Sequence, residues 1–167
     1  ATNVTAQDTF GGVDFVQVAG SGETDFQGTV TLTNNLDFNG TDLTIGAGGN
    51  LVGGDMTVTN SGVYDQDGDI VVTGAFDQDG TGTNELGGDL TASSILFQGA
   101  SSELTANVNM TSGGADTNDI TFDNILDGDG VASRNLTLDA GALGDITFGG
   151  DVGETTARLG AIQIVNA

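Results

Sequence analysis

The stretch Asp119-Ile120-Thr121-Phe122 returns unchanged as Asp145-Ile146-Thr147-Phe148. Looser forms run through most of the chain: Asp42-Leu43-Thr44-Ile45, Asp55-Met56-Thr57-Val58, Asp69-Ile70-Val71-Val72, Asp89-Leu90-Thr91-Ala92, Glu103-Leu104-Thr105-Ala106 and Asn135-Leu136-Thr137-Leu138. An acidic or amide residue leads, an aliphatic follows, then Thr or Val, then a second apolar or small residue. Apolar side chains two apart fall on one face of a pleated strand, while the Thr between them points the other way and suits the pleat. One face is therefore buried and the other wet. The leading Asp or Asn, usually beside Gly, is expected to bond its own backbone and so end the preceding turn. A short strand unit repeated at tens of residues is the mark of stacked architecture, although the spacing of the leading residues is loose.

Between these strands lie Gly-Asn, Gly-Gly, Asn-Ser-Gly and Asp-Gly clusters, the punctuation of turns, and no window carries a helical period. Phe followed by a polar or Gly residue and then Gly recurs at Phe10-Gly11-Gly12, Phe26-Gln27-Gly28, Phe38-Asn39-Gly40, Phe97-Gln98-Gly99 and Phe148-Gly149-Gly150, like a core plug followed by a tight corner. Residues Val63-Tyr64-Asp65-Gln66-Asp67-Gly68 reappear as Ala75-Phe76-Asp77-Gln78-Asp79-Gly80, with a relative at Ile125-Leu126-Asp127-Gly128-Asp129-Gly130. This wording predicts an all-β, single-domain parallel β-solenoid, with coils of about 20 residues and roughly eight rungs, over an antiparallel β-sandwich of about a dozen short strands. The absence of Pro fits, because solenoid strands need hydrogen bonds from both neighbours. One body spans residues 1–167, with 1–9 a candidate arm and 10–167 the repeats. With 5% aromatic residues and no Trp, its core must be thin.

The run from Asp119 through Asp127-Gly128-Asp129-Gly130, Asn135-Leu136-Thr137-Leu138-Asp139-Ala140-Gly141, Gly144-Asp145-Ile146-Thr147-Phe148-Gly149-Gly150 and Val152-Gly153 resembles the degenerate repeats of filamentous-haemagglutinin-like adhesins and autotransporter passengers, which are secreted bacterial proteins. The resemblance covers about residues 29–165. It implies a right-handed parallel β-helix, export, and a structural or adhesive role. Such adhesins are very long, so a short chain is either a piece of one or a subunit that reaches fibre length by association.

Formal charge is −22, with Arg134 and Arg158 the only basic residues. Phosphate binding needs cationic side chains, so nucleic acid is not an expected partner. Only Glu23, Glu85, Glu103 and Glu154 are Glu among the 24 acidic residues, so the acidity is mostly Asp. Short carboxylates beside Gly serve both turns and cation ligation. There is no Cys, hence no disulfide or thiolate site, and no apolar run near 18 residues, so no membrane span is expected. A first residue of Ala suits removal of a secretory signal or excision from a larger protein.

The leading functional expectation is an extracellular structural protein, a subunit or module of a surface filament, sheath or biofilm matrix that self-associates into a homopolymer. Open coil ends are unpaired strand templates, and head-to-tail contacts between them do not close. A calcium-dependent adhesin or ligand-binding module of a larger secreted protein is the alternative. Its candidate ligands are Asp65, Asp67, Asp69, Asp77, Asp79, Asp127 and Asp129, because calcium takes six to eight oxygens and closely spaced carboxylates supply them. The Gly position in Asp65-Gln66-Asp67-Gly68 does not match an EF-hand, and these Asp also suit solvated turns. The outward Thr residues are explained by strand propensity without an ice or carbohydrate ligand. With no His, Cys or Lys, no residue is an obvious base, nucleophile or Schiff-base amine, and no enzyme is expected.

Overall fold

Each short strand pairs not with its sequence neighbours but with a strand one coil away. The computed structural model describes residues 2–153 and 158–167. Among them it has 22 strands and no helix. The strands form three sheets of seven, eight and seven members. The first face runs from Val4–Ala6 through Glu23–Phe26, Asp42–Ile45, Val63–Gln66, Thr83–Leu86 and Ser101–Leu104 to Ile125–Gly128. The second runs from Phe10–Gly12 to Ile162–Asn166, and the third from Phe15–Gln17 to Ile146–Phe148. Pairing is parallel between successive coils, as in Val63↔Thr83, Ile70↔Leu90 and Phe76↔Ile95. The chain is thus a three-sided β-solenoid, and the antiparallel sandwich is not what forms.

On the second face, register partners are 20 residues apart along Asn50, Ile70, Leu90 and Met110. The step then lengthens to 28, from Met110 to Leu138. Segment 2–9 of the candidate arm lies on the body, with Val4, Thr5 and Ala6 paired to Thr24, Asp25 and Phe26; Ala1 lies outside the described residues.

The repeating phrase supplies the core. In Asp119-Ile120-Thr121-Phe122, Ile120 and Phe122 are buried and Thr121 is half-buried on the outer surface. The same alternation holds for Met56-Thr57-Val58 and Leu136-Thr137-Leu138. Stacking in register turns these inward positions into ladders, of which Phe97, Phe122 and Phe148 form one, with ring centroids 5.2 and 5.8 Å apart and nearly parallel planes. Phe26, Phe38 and Phe97 are the buried plugs their Phe-x-Gly context suggests.

The leading Asp or Asn does something other than the expected Asx turn. Its side-chain oxygen accepts the backbone N–H of the equivalent residue one coil further on. On the third face, Asn35 N–H donates to Asp14 (3.2 Å), Asp55 N–H to Asn35 (3.0 Å), Ala75 N–H to Asp55 (2.9 Å) and Asp145 N–H to Asp119 (2.9 Å). The second face repeats this, with Asp89 N–H donating to Asp69 (2.9 Å) and Asn109 N–H to Asp89 (2.8 Å). These positions are strand mouths, where the backbone N–H points along the stack. A short acceptor from the coil before is the nearest partner for it. Asp129 makes the local turn, accepting from Val131 and Ala132 N–H.

Amides line the interior of the corners. Both Asp-Gln-Asp-Gly repeats bury their Gln completely and leave the flanking Asp outside. Gln66 Nε2 donates to the carbonyls of Gly68 (3.2 Å), Gly88 (3.1 Å) and Asp89 (3.2 Å), which the tight corner leaves pointing inward. Gln78 joins Asn60 and Asn84, and Asn84 joins Ser102 and through it Asn124, in a buried side-chain chain crossing several coils. Buried amides bonded to one another and to the corner backbone hold one coil in register with the next, although Asn84 Oδ1 and Asn124 Nδ2 have no partner among the described residues.

Candidate functional site

Two features stand out from a regular stack: its ends and its outward acidic columns. At the N-terminal end, Phe10 and Phe15 are only partly buried against Phe26, with ring centroids 5.1 Å from it. Val4, Val13, Val16 and Val18 there are exposed by 46 to 79%. At the C-terminal end the strand Ile162–Asn166 is exposed throughout, including Ile162, Ile164 and Val165. A concavity of about 480 Å³ opens beside it, lined by Val152, Gly153, Arg158, Leu159, Gly160 and Ile162. No helix covers either end among the described residues. Of the six outermost strands of the three sheets, only Ile125–Gly128 carries a charged residue. In a chain with 24 carboxylates, five of the six outermost strands are thus uncharged, with Asp14 and Asp145 at the mouths of two of them.

The seven candidate calcium ligands do not converge. Asp65 and Asp127 belong to one outward column of the first face, with Glu85 and Glu103 in register between them. Asp127 is nearly buried there. Asp67 sits at the following corner, where its N–H donates to Ile45 C=O at 2.9 Å. Asp69 is the interstrand acceptor at the mouth of the second face. Asp77 and Asp79 lie on the third face, and Asp79 accepts from Thr59 Oγ1 at 2.5 Å. Asp129 is paired with Arg134. Among the described residues there is no group of three or more His, Cys, Asp or Glu side chains placed to hold a metal ion.

The column is instead an electrostatic load. Parallel register puts like charges on adjacent strands, roughly 4.8 Å apart. Partial burial, and then the carboxylates of Asp67, Glu85 and Glu23, push the Asp65 pKa up to about 6. Burial, then Glu85, Asp129 and Asp127, raises Glu103. Burial, then Asp79, raises Asp77 on the third face. Hydrogen bonding from Arg134 holds Asp129 low, at about 2.

A carboxyl whose folded pKa exceeds its unfolded value favours folding when protonated. The penalty from Asp65 is complete above about pH 6 and fades as pH falls toward 4. Asp129 acts oppositely, losing its contribution as pH falls from the ordinary carboxylate range toward 2. Thermal stability is therefore expected to be higher at pH 5 than at pH 7.5 and to decline again below pH 4. Linkage alone gives about 3 kcal/mol for Asp65, which solvent screening of a half-exposed group cuts to about 1 kcal/mol. Asp65→Asn is expected to raise Tm at pH 7.5 and narrow the difference between the two pH values; an unchanged difference means the column carries no strain.

Sequence reasoning found the Asp residues but not the register that makes a column of some and separates the rest. The signal was present in the similar offsets of Asp65, Glu85 and Glu103 from their strand starts. No family model, curated protein or solved structure matches the chain. No helix among the described residues is long and apolar enough to cross a membrane.

Proposed function

We propose that the chain is an extracellular structural protein, a subunit or module of a surface filament, sheath or biofilm matrix, exported after removal of a signal peptide and joined through its coil ends. The observation that carries this reading is that no helix covers either end among the described residues, and that each end has open strand edges and exposed apolar side chains, on a coil whose flanks are heavily acidic. An unpaired edge is a template for another strand, and a parallel coil offers different edges at its two ends. Contacts between unlike ends propagate and do not close into a ring unless the stack curves back on itself. The acidic flanks favour end-to-end over side-to-side contact, because lateral approach brings carboxylate columns together. Export is supported by the resemblance to secreted adhesins. Catalysis is no part of this reading, since the chain lacks His, Cys and Lys.

The test is negative-stain imaging and sedimentation of the purified chain at low salt, at 150 mM salt and with millimolar calcium. Threads one coil wide are expected, longer when salt or a divalent cation screens the flanks. A uniform monomer under all three conditions overturns the proposal.

A further inference from the structure

The C-terminal end of the stack is stepped. The second sheet has eight strands and the third has seven. The last coil has its second side in Ile162–Asn166, paired with Leu136–Asp139, and the start of its first side in Val152, which bridges Leu126. Its third side is open: among the described residues no strand lies against the outer edge of Ile146–Phe148. A copy set squarely on this end would seat Phe10–Gly12 on Ile162–Asn166 and Phe15–Gln17 one coil above the open place. That leaves a strand-wide gap faced by unpaired N–H and C=O groups.

The N-terminal end carries a strand of the right form. Asn3-Val4-Thr5-Ala6 has the order of the repeating phrase, as in Asp89-Leu90-Thr91-Ala92. Asn3 already serves as a strand mouth, since its Oδ1 accepts the Glu23 N–H at 3.2 Å. Val4 and Ala6 are register partners of the buried Thr24 and Phe26, so both face inward, yet Val4 is 46% exposed.

We infer that a second copy of this chain joins the C-terminal end turned by one face of the three, so that its Val4–Ala6 becomes the missing third side of the last coil. Its next two strands follow the same helical path, with Phe10–Gly12 over Val152 and Phe15–Gln17 over Ile162–Asn166. This deepens the filament reading above and rests on it. Val4 then covers Ile146, Thr5 continues the column of Thr121 and Thr147, and Ala6 covers the Phe148 ring as it already meets Phe26. The Asp145 carboxylate accepts the incoming Asn3 N–H, as Asp119 accepts that of Asp145. Ile146 N–H donates to the Asn3 carbonyl, as Ile120 N–H does to that of Asp145 (2.9 Å). On the second face Phe15 covers Ile162 and Gln17 covers Ile164, both exposed in the free chain. None of these four strands carries a charge. At their mouths Asn3 meets Asp145 and Asp14 meets Ala161, so no carboxylate stacks on another at either face. The turned join keeps one continuous coil from copy to copy and gives the thread a polarity.

The chain has no Cys, so introduced pairs report the contact directly. Thr5 and Thr147, and likewise Val16 and Gln163, are exposed middle residues that this register stacks, and in-register parallel neighbours lie within disulfide reach. Thr5→Cys/Thr147→Cys, oxidised after assembly, is expected to give a ladder of dimers, trimers and longer species on a denaturing gel, and Val16→Cys/Gln163→Cys the same. Gly11→Cys/Gln163→Cys, the pair that a square join would bring together, should give no ladder, and each single variant at most a trace of dimer. The two expected pairs lie on different faces, so either one that forms the parent's threads when reduced reads the register by itself. Threads that ladder through Gly11/Gln163, threads that ladder through neither expected pair, or strong dimers from a single variant overturn the turned register and leave the filament reading intact. A parent chain that stays monomeric overturns both.

Discussion

Phe122→Ala is expected to lower the stability of the chain by about 3–5 kcal/mol, the loss found when a fully buried aromatic is truncated and its site does not collapse. Collapse is hard here because of how the ring is held. Phe122 is completely buried, with Phe97 stacked 5.2 Å to one side and Phe148 5.8 Å to the other. Both neighbours are fixed by strand pairing, Phe97↔Phe122 and Phe122↔Phe148, so neither ring can move into the space without breaking the ladder on its own coil. In a stack each coil contacts only its neighbours, so a defect at Phe122 also uncouples the coil holding Phe148 from the rest. Urea unfolding followed by circular dichroism measures the loss. Phe148→Ala, at a half-buried position on the open end, is the comparison and should lose markedly less. Equal losses from the two would mean that the terminal coil is as well packed as the interior.

The stack was legible in the sequence because its inward positions repeat: Ile120 and Phe122 return as Ile146 and Phe148 with Thr outward in both. That alternation is local, within four residues, and needs no knowledge of which coil lies beside it. What depends on the neighbouring coil was not legible. Asp55 looks like a turn former in its own window, yet its partner is the N–H of Ala75, 20 residues on. Gln66 reads as one more polar turn residue between two Asp, yet it is the buried member of its group because the corner carbonyls of Gly68 and Gly88 face inward. The candidate ligands suffered most. Seven Asp in Gly-containing corners suggest a cation site, but a solenoid distributes sequence neighbours to different faces. Asp65, Asp67 and Asp69 pass from the first face, round a corner, to the mouth of the second. The open ends were legible only as the absence of a capping pattern.

Glycine is the residue whose role differs most between sequence and stack, and Gly88→Ala should expose the difference. In the sequence Gly-Gly and Asp-Gly signal left-handed turns. Yet among the described residues only Gly114, Gly130, Gly141 and Gly153 have positive φ, and Gly88 does not. Gly88 is required for space. A Cβ there would lie 2.1 Å from the carbonyl oxygen of Gly68 on the coil below and 2.3 Å from its carbonyl carbon, both backbone atoms that cannot rotate away. Relief demands that the two coils part at the corner. Parting them stretches the bonds that Gln66 Nε2 makes to Gly68 and Gly88, and that amide is fully buried. Overpacking costs about 1–3 kcal/mol and an unmade buried hydrogen bond about 1–3 kcal/mol more, so a loss of roughly 2–5 kcal/mol is expected. Gly49→Ala supplies the contrast. Its Cβ would have no neighbour within 4 Å, and its φ is ordinary. With no clash to relieve, alanine there acts mainly by restricting the unfolded chain, a gain of about 0.4–1 kcal/mol. Opposite signs for the two substitutions in one urea titration would establish that the corner glycines set the spacing between coils. A neutral Gly88→Ala would show that the coils yield there at no cost and that the corner does not fix their approach.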